Sequence, residues 1–190
     1  MSGRPLHLVI LGRQGSGKGT QCVRLVKHYG TLHVSTGDML RAAIANGSEL
    51  GKKAEAIMND GGLVSDDIMN GIVAERLAQP DIKKHGVLLD GFPRTVVQAE
   101  ALEGIVGKTG IDAAINLDVP VKVVTERMLA RGRADDLPEA ITRRLSLYDE
   151  QTAPLIDWFD DRGVLITVDG LGTEDEVFAR LRAAIDSRPS

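Results

Sequence analysis

The sequence has little cysteine, few aromatic residues and no long apolar run, and each shortage excludes a class of protein. Cys22 is the only cysteine among 190 residues, so neither an intramolecular disulfide nor a zinc site built from cysteine pairs can form. Aromatic residues make up 3% of the chain and its formal net charge is −4, which argues against a nucleic-acid partner. No stretch approaches the roughly 20 apolar residues that span a bilayer. The composition predicts one domain in a reducing cytoplasm, away from membranes.

Short apolar runs alternate with longer helical patterns along the chain. The runs predict five strands, at residues 6–11, 33–35, 87–90, 113–118 and 164–168. They are rich in Val, Ile and Leu and lack polar alternation, as in strands that are buried on both faces. Helical patterns begin near Lys18, Gly37, Glu49, Asp66, Thr95, Val121, Pro138, Thr152 and Thr173. The alternation predicts an α/β fold in three layers, with a five-stranded parallel sheet covered by helices on both faces.

A glycine-rich segment follows the first predicted strand. Residues 12–20 read GRQGSGKGT and contain the G-x-x-x-x-G-K spacing of a phosphate-binding loop (P-loop). Glycine lets backbone N–H groups approach phosphate oxygens, the following helix points its positive end at the anion, and Lys18 adds a point charge. The strict pattern continues with a Ser or Thr that binds Mg²⁺, whereas here Gly19 takes that position and Thr20 follows. No Asn-Lys-x-Asp guanine motif occurs, so a motor or a GTPase is disfavoured.

Arginine is concentrated in one short segment of this net-acidic chain. The residues are Arg127, Arg131, Arg133, Arg143 and Arg144. Such a cluster predicts a small, highly anionic ligand. Arg127 and Arg131 share one helix face because they are four residues apart. In the next predicted helix, Arg144 lies about 60° from the apolar Ile141 and Arg143 points roughly the opposite way. Arg144 is therefore predicted to reach an interior site and Arg143 to face solvent.

Together these motifs resemble the nucleoside monophosphate kinases, and the adenylate kinases in particular. After GKGT come, in the order of that family, STGDMLRAA (35–43), GGLVSD (61–66), LLDGFPRT (88–95), RMLARGRADD (127–136), TRRL (142–145) and VDGLGTEDEVF (168–178). The likeness covers nearly the whole chain, and one departure is Gln14, where the family usually has proline. The resemblance implies reversible transfer of the terminal phosphoryl group of ATP to AMP, giving two ADP. It also implies a monomeric enzyme that uses Mg²⁺ but no zinc and whose ligands are ATP, AMP and ADP.

The resemblance also implies a role for each matched residue. It assigns ATP to Gly15, Ser16, Gly17, Lys18, Gly19, Thr20, Arg131 and Gly172. It assigns AMP to Thr36, Arg41, Gly62, Leu63, Val64, Gly91, Phe92, Pro93, Arg94, Gln98, Arg133 and Arg144. The implied catalytic residues are Lys18, Arg94, Arg127, Arg131, Arg133 and Arg144. No direct protein ligand to the metal is expected; instead Asp90, with Asp38 as a weaker partner, is expected to hold Mg²⁺ through water molecules.

Two positions bear on the identity of the acceptor base. Adenylate kinases have Thr at the position of Thr36, whereas the related uridylate–cytidylate kinases typically have Ala. Thr95 points the same way, because the pyrimidine kinases tend to have Asn there. AMP is therefore the expected acceptor, and a uridylate–cytidylate kinase is the nearest alternative. A nucleotide-sensing protein that has lost catalysis is the second alternative, disfavoured because Lys18 and the arginines are retained.

Two segments interrupt the alternation of strands and helices. We expect residues 35–64 to form an AMP-binding excursion and residues 131–137 a short lid that excludes water. The remainder, at 1–34, 65–130 and 138–190, is expected to form the core of a single domain.

Two further expectations concern local chemistry. The Phe92–Pro93 bond is expected to be cis, because the chain must turn sharply there and adenylate kinases have a cis bond at this position. The histidines, His7, His28, His33 and His85, all fall outside the motifs. This fits a phosphate acceptor, since its attacking oxygen is already anionic and needs no strong general base.

Overall fold

The sheet of the protein is parallel and five-stranded in a computed structural model that describes residues 5–59, 64–132 and 136–188. Its strands are β1 (Leu6–Leu11), β2 (Leu32–Ser35), β3 (Gly86–Asp90), β4 (Ala113–Asp118) and β5 (Leu165–Asp169). They lie in the order β2-β3-β1-β4-β5, and every neighbouring pair is parallel. The α/β prediction is confirmed, and each predicted strand lies within one residue of the observed ends.

Ten α-helices connect and cover the strands in the described part of the chain. They are α1 (Lys18–Tyr29), α2 (Thr36–Ala45), α3 (Glu49–Asn59), α4 (Asp66–Leu77), α5 (Pro80–His85), α6 (Val96–Val106), α7 (Val121–Arg131), α8 (Pro138–Leu147), α9 (Pro154–Asp160) and α10 (Glu174–Asp186). A 3-10 turn (Gly107–Thr109) follows α6, and a π-helical segment (Tyr148–Thr152) joins α8 to α9. None of the helices in the described ranges is both long and apolar enough to cross a membrane.

Side-chain caps explain where several helices begin. Ser35 ends β2 and its hydroxyl accepts a hydrogen bond from Asp38 N at 3.2 Å, so the strand passes directly into α2. Thr95 caps α6 in the same way by accepting from Gln98 N at 3.2 Å. Thr173 forms a full capping box at the start of α10. These three caps turn the chain into a helix just after a strand or loop at the carboxyl edge of the sheet.

The sheet is buried on both faces, as the uninterrupted apolar strands predict. Val9 of β1 belongs to a core cluster that includes Ile72 of α4, on one face. The next residue back, Leu8, belongs to a second cluster with Leu25 of α1 and Leu181 of α10, on the other face. Each fully buried leucine of this kind contributes about 1.5–3 kcal/mol relative to an exposed one. The result is a rigid platform for the loops at its edge.

A smaller third cluster fixes the two helices that carry the arginines. Val124 and Met128 of α7 pack against Ile141 and Leu145 of α8. Because Arg131 ends α7, this packing brings it close to α8.

Candidate active site

The glycine-rich segment at residues 12–20 (the glycine loop) lies between two neighbouring strands whose following helices pack on opposite faces of the sheet. β1 and β3 are adjacent, with Ile10 paired to Asp90. The helix after β1, α1, packs in one core cluster, and the helix after β3, α6, packs in the other. Strands that send their helices to opposite faces leave a crevice at their carboxyl ends, and this is where ligands bind in open α/β sheets.

Two of the loop glycines are required by the protein's own packing. Gly12 and Gly15 have φ values of 149° and 86°, a region that L side chains rarely adopt. A Cβ at Gly12 would lie 2.9 Å from Leu117 O, and one at Gly15 would lie 2.8 Å from Val124 O. By contrast, a Cβ at Gly19 would meet no atom of the described residues within 4 Å. The glycine after the lysine is therefore not explained by packing within the described chain.

The side chain of Lys18 folds back onto the start of the glycine loop. Its Nζ donates hydrogen bonds to Gly12 O at 2.5 Å and to Arg13 O at 3.3 Å. Burial lowers the pKa of Lys18, and the nearby Asp90 carboxylate opposes that shift. Ser16 is buried beneath the loop, whereas Gly17, Gly19 and Thr20 are exposed. The predicted ATP-binding residues of this segment thus form one continuous loop around a cationic side chain.

Asp90 ends β3 beside that lysine and contacts two further polar groups. Its Oδ2 lies 3.3 Å from His33 Nε2 and 4.0 Å from Cys22 Sγ. Burial acts to raise the pKa of Asp90, but the hydrogen bond with His33 and the charge of Lys18 hold that pKa below its usual value. The hydrogen bond to Asp90 in turn raises the pKa of His33. His33 falls outside the sequence motifs, but its contact with Asp90 places it beside the glycine loop.

In the absence of a metal ion, Cys22 is a poor nucleophile in this position. It is fully buried in α1, and burial, reinforced by Asp90, raises its pKa to about 12. A thiol that stays protonated is a poor nucleophile.

Asp38 lies in the first turn of α2. Its Oδ2 accepts from Ser35 Oγ at 2.7 Å and its Oδ1 accepts from Arg41 Nη2 at 2.5 Å. These two hydrogen bonds hold the pKa of Asp38 below its usual value. The charges of Asp90 and Asp38 both raise the pKa of His33, so both carboxylates expected to hold Mg²⁺ through water lie near this imidazole.

The loop between β3 and α6, residues 91–95, lies at the same edge of the sheet and is held by a chain of hydrogen bonds. Thr36 Oγ1 and Arg94 Nε both donate to Gly91 O, at 2.6 and 2.9 Å. Arg94 N donates to Gln98 Oε1 at 2.8 Å, and Gln98 Nε2 donates to Asp66 Oδ1 at 2.7 Å. These four hydrogen bonds link five residues, and the Arg94 side chain, although exposed, folds back against Gly91.

The turn inside this loop has the predicted geometry. The Phe92–Pro93 bond is cis, as expected. The Phe92 side chain is 1% exposed and belongs to the core, against which Val64 also packs. Gly62 and Leu63, which the sequence analysis assigns to AMP, lie outside the described residues.

Arg127 joins the glycine loop to the loop that follows β5. Its Nη1 donates to Gly15 O at 3.4 Å and to Ser16 O at 3.3 Å, and its Nη2 donates to Gly170 O at 3.5 Å. Gly172, with φ 110°, follows in the loop between β5 and α10. Arg127 thereby links the glycine loop to the segment that carries Gly172.

Arg131 and Arg144 meet on one buried carboxylate, Asp136. Arg131 binds it with two hydrogen bonds, Nε to Oδ2 at 2.8 Å and Nη2 to Oδ1 at 2.7 Å, and Arg144 Nη1 donates to Oδ1 at 3.5 Å. The Asp136 side chain has no exposed surface, and each arginine is 29% exposed. Arg144 is half-buried and Arg143 is exposed, which confirms the predicted helix faces. Arg133 lies outside the described residues.

The contacts of Asp136 with the two arginines predict that this carboxylate stabilises the folded protein. We expect Asp136→Ala to lower the free energy of unfolding by about 1.5–3 kcal/mol, because hydrogen bonds to charged groups are lost and two guanidinium groups remain close together. Urea-induced unfolding of the variant measures this. The matched control is Asp149→Ala, whose carboxylate pairs with Arg13 but is 51% exposed, and it should cost at most about 1 kcal/mol. Equal losses in the two variants would contradict the role given to Asp136.

The π-helical segment contacts both loops. Arg13 of the glycine loop donates to Asp149 Oδ1 at 2.8 Å, and its guanidinium lies 5.3 Å from the ring centre of Tyr148. Thr152 Oγ1 donates to Arg94 O at 3.0 Å. The segment that continues from the helix of Arg144 is therefore tied to the glycine loop at one end and to the Arg94 loop at the other.

A glycine loop that carries Lys18, a second loop beside it that carries Arg94, and Arg127 bound to the first loop are the parts of a P-loop phosphotransferase. A family model described as "Adenylate kinase" matches residues 10–164 of the chain. The chain belongs to the adenylate kinase family.

Similar proteins match over almost their full length. An adenylate kinase of Stenotrophomonas maltophilia (strain R551-3) is 52% identical over 186 residues, which are 95% of this chain and 99% of that protein. One of Xanthomonas euvesicatoria pv. vesicatoria (strain 85-10) is 48% identical with the same coverage. One of Synechococcus sp. (strain WH7803) is 48% identical over 181 residues, 94% of this chain and 98% of that protein.

Proposed function

We propose that this protein catalyses the reversible transfer of the terminal phosphoryl group of ATP to AMP, giving two ADP. The observation that carries the proposal is the juxtaposition of two separate anion-directed loops at one sheet edge. One contains Lys18 and the other Arg94, and the π-helical segment contacts both. A protein that binds a single phosphate group needs only the first loop. Two polyanions have to be held against their mutual repulsion, which is the task of a kinase with two nucleotide substrates.

On the donor side, the loop at residues 15–20 holds the phosphates of ATP. Lys18 exchanges its hydrogen bonds to the carbonyl oxygens of the loop for phosphate oxygens, because an ammonium group gains more from an anion than from a carbonyl. Arg127 already donates hydrogen bonds to two carbonyl oxygens of this loop. Arg131 contacts the phosphates, and Gly172 lies against the adenine.

On the acceptor side, the phosphate of AMP lies between Arg94, Arg41 and Arg144. Each guanidinium can bind phosphate oxygens with two parallel hydrogen bonds. Arg41 rests on Asp38 and Arg144 on Asp136, so both arginines are held at the site by carboxylates. The same proposal includes Arg133, Gly62 and Leu63, together with Val64, Gly91, Phe92, Pro93 and Gln98, which surround the nucleoside.

The Thr36 hydroxyl donates its proton in a fixed direction, and this restricts which acceptor base it can bind. Its proton goes to Gly91 O at 2.6 Å, so towards a ligand the oxygen can only accept. The exocyclic amino group of adenine can donate to it, and so can that of cytosine, whereas guanine and uracil carry a carbonyl oxygen at the corresponding ring position and cannot donate from there. Thr36 therefore favours AMP over UMP and GMP.

Asp90 and Asp38 suit a hydrated magnesium ion. Both carboxylates have a lowered pKa and are ionised at neutral pH, and Mg²⁺ prefers oxygen ligands and keeps several of its water molecules. When bound, Mg²⁺ neutralises charge on the phosphates of ATP. Asp90 and Asp38 would accept hydrogen bonds from its water molecules.

The chemical step needs orientation rather than a base. An anionic phosphate oxygen of AMP attacks the γ-phosphorus of ATP, the bond from that phosphorus to the β-bridging oxygen breaks, and ADP leaves in line. Lys18, Arg131 and Arg144 neutralise the charge that spreads over the transferring group. Closure of the excursion at 35–64 and the lid at 131–137 excludes water, which would otherwise accept the phosphoryl group. A monomeric state and a cytoplasmic location stay predictions of the sequence.

A panel of acceptors tests the proposed function. With ATP as donor, we expect kcat/KM for AMP to exceed the values for CMP, UMP and GMP by at least about 100-fold, because a mismatched base leaves buried polar groups unpaired. Thr36→Ala should reduce that preference. Thr142→Ala should leave it unchanged, since Thr142 is an exposed residue of α8 whose hydroxyl donates to Pro138 O within its own helix. Comparable turnover of CMP or UMP by the unaltered protein would favour the uridylate–cytidylate kinase. No transfer to any acceptor would favour the nucleotide sensor.

A further inference from the structure

Three different metal-binding side chains converge behind the glycine loop. Cys22 comes from α1, His33 from β2 and Asp90 from the end of β3, and one ligand atom from each lies within 4.8 Å of the other two. Two of the separations are 3.3 Å, from His33 Nε2 to Asp90 Oδ2, and 4.0 Å, from Cys22 Sγ to the same oxygen. Because the three residues come from three buried elements of the core, their backbones are fixed by the fold.

These separations suit a tetrahedral metal ion. Bonds from zinc to sulfur, nitrogen and oxygen are about 2.0–2.3 Å long, so the ligand atoms of a tetrahedral site lie about 3.3–3.7 Å apart. The His33–Asp90 distance already has this value. The sulfur lies 4.0 Å from Asp90 Oδ2 and within 4.8 Å of the imidazole nitrogen, so it has to approach by at most about 1.5 Å, within the reach of side-chain rotations. Magnesium, which takes oxygen ligands, does not match a set that includes sulfur and nitrogen.

The cluster is open on one side. Cys22 is fully buried, but the side chains of His33 and Asp90 are 30% and 20% exposed. Lys18, the nearest cation, directs its ammonium group to the carbonyl oxygens of Gly12 and Arg13. An ion can therefore enter from the side of His33 and Asp90, and a water molecule or a phosphate oxygen can complete its coordination.

We propose that Cys22, His33 and Asp90 form a binding site for a borderline-soft divalent cation of the zinc class, and that its occupation inhibits the enzyme. On binding, the Cys22 thiol loses its proton to solvent and the thiolate joins the metal. Asp90 then becomes a direct zinc ligand and no longer accepts hydrogen bonds from the water molecules of Mg²⁺. The inhibition rests on the proposed function, whereas the binding of the metal does not.

Binding is tested with Co²⁺ alone, on the full chain without an affinity tag and without nucleotide. Cobalt replaces zinc in such sites and gives an intense near-ultraviolet band when a thiolate is bound. Since Cys22 is the only cysteine of the chain, this band reports on that residue alone. We expect it to develop in the unaltered protein, to disappear when Zn²⁺ is added, and to be absent from Cys22→Ala. A titration of the folded protein that produces no thiolate band would overturn the site.

A second variant separates a metal ligand from a structural residue. His33→Asn should weaken cobalt binding by more than about 10-fold, whereas His85→Asn should not change it, because His85 is exposed at the end of α5. Circular dichroism shows whether each variant is folded. Equal cobalt affinity of the His33 and His85 variants would also overturn the site.

Inhibition is measured at fixed free Zn²⁺, as the loss of each protein's own zinc-free rate. The unaltered protein should need at least about 10-fold less free zinc for half-inhibition than Cys22→Ala does. Inhibition at the same concentration in both proteins would show that zinc acts elsewhere, for example on the nucleotide. A protein that shows the cobalt band but transfers no phosphoryl group would refute the proposed function and leave the metal site standing.

Discussion

Lys18→Ala is expected to lower kcat by about 10²- to 10³-fold, the usual effect of removing one preorganised group that stabilises charge in a transition state. The ammonium group lies at the mouth of the glycine loop, where it bonds to Gly12 O and Arg13 O. Without it, the charge that develops on the phosphoryl oxygens loses one of the cations that neutralise it. Steady-state rates with saturating ATP and AMP measure the loss.

The matched control for this variant lies on the same helix. Lys27 is exposed in the last turn of α1, and Lys27→Ala should retain nearly full activity. Lys18→Arg should not restore the rate, because the broader guanidinium group does not fit the space of a point charge. Near-normal activity of Lys18→Ala would show that the glycine loop is not where the phosphoryl group is transferred.

Arg144→Ala is expected to lower kcat/KM for AMP by about 100-fold or more, while Arg143→Ala changes it less than about 3-fold. The two residues are neighbours of the same type in α8, yet Arg144 is half-buried against Asp136 and Arg143 faces solvent. The pair is thus an internal control for helix propensity and net charge. Separate measurements of kcat and KM for AMP show whether the loss lies in the transfer step, in binding, or in both. Equal effects of the two substitutions would contradict the geometry of the site.

Much of the architecture follows from patterns that are local in sequence. The five apolar runs predict the strands, and the spacing of Gly12, Gly17 and Lys18 predicts the phosphate loop, because a strand, a loop and a helix adjacent in the chain need no long-range information. The opposite directions of Arg143 and Arg144 follow from helix geometry alone. The helix α5 escapes prediction because six residues are too short to show a helical period.

The missed residues depend on contacts between distant segments. His33 approaches Asp90 only because β2 and β3 are neighbours in the sheet, and a single sequence does not reveal strand order. Arg13 and Asp149 are 136 positions apart in the chain. Asp136 lies within the motif RMLARGRADD, but whether its carboxylate is exposed or buried between two arginines depends on how α7 packs on α8.

The stoichiometry of the reaction tests the central claim most directly. The purified protein is incubated with Mg²⁺, ATP and AMP, and all nucleotides and free phosphate are quantified over time by phosphorus NMR. We predict that each AMP consumed removes one ATP and yields two ADP, that no free phosphate accumulates, and that ADP alone is converted back to ATP and AMP. Loss of ATP that proceeds without AMP and releases free phosphate would contradict the account, because water would then be the acceptor.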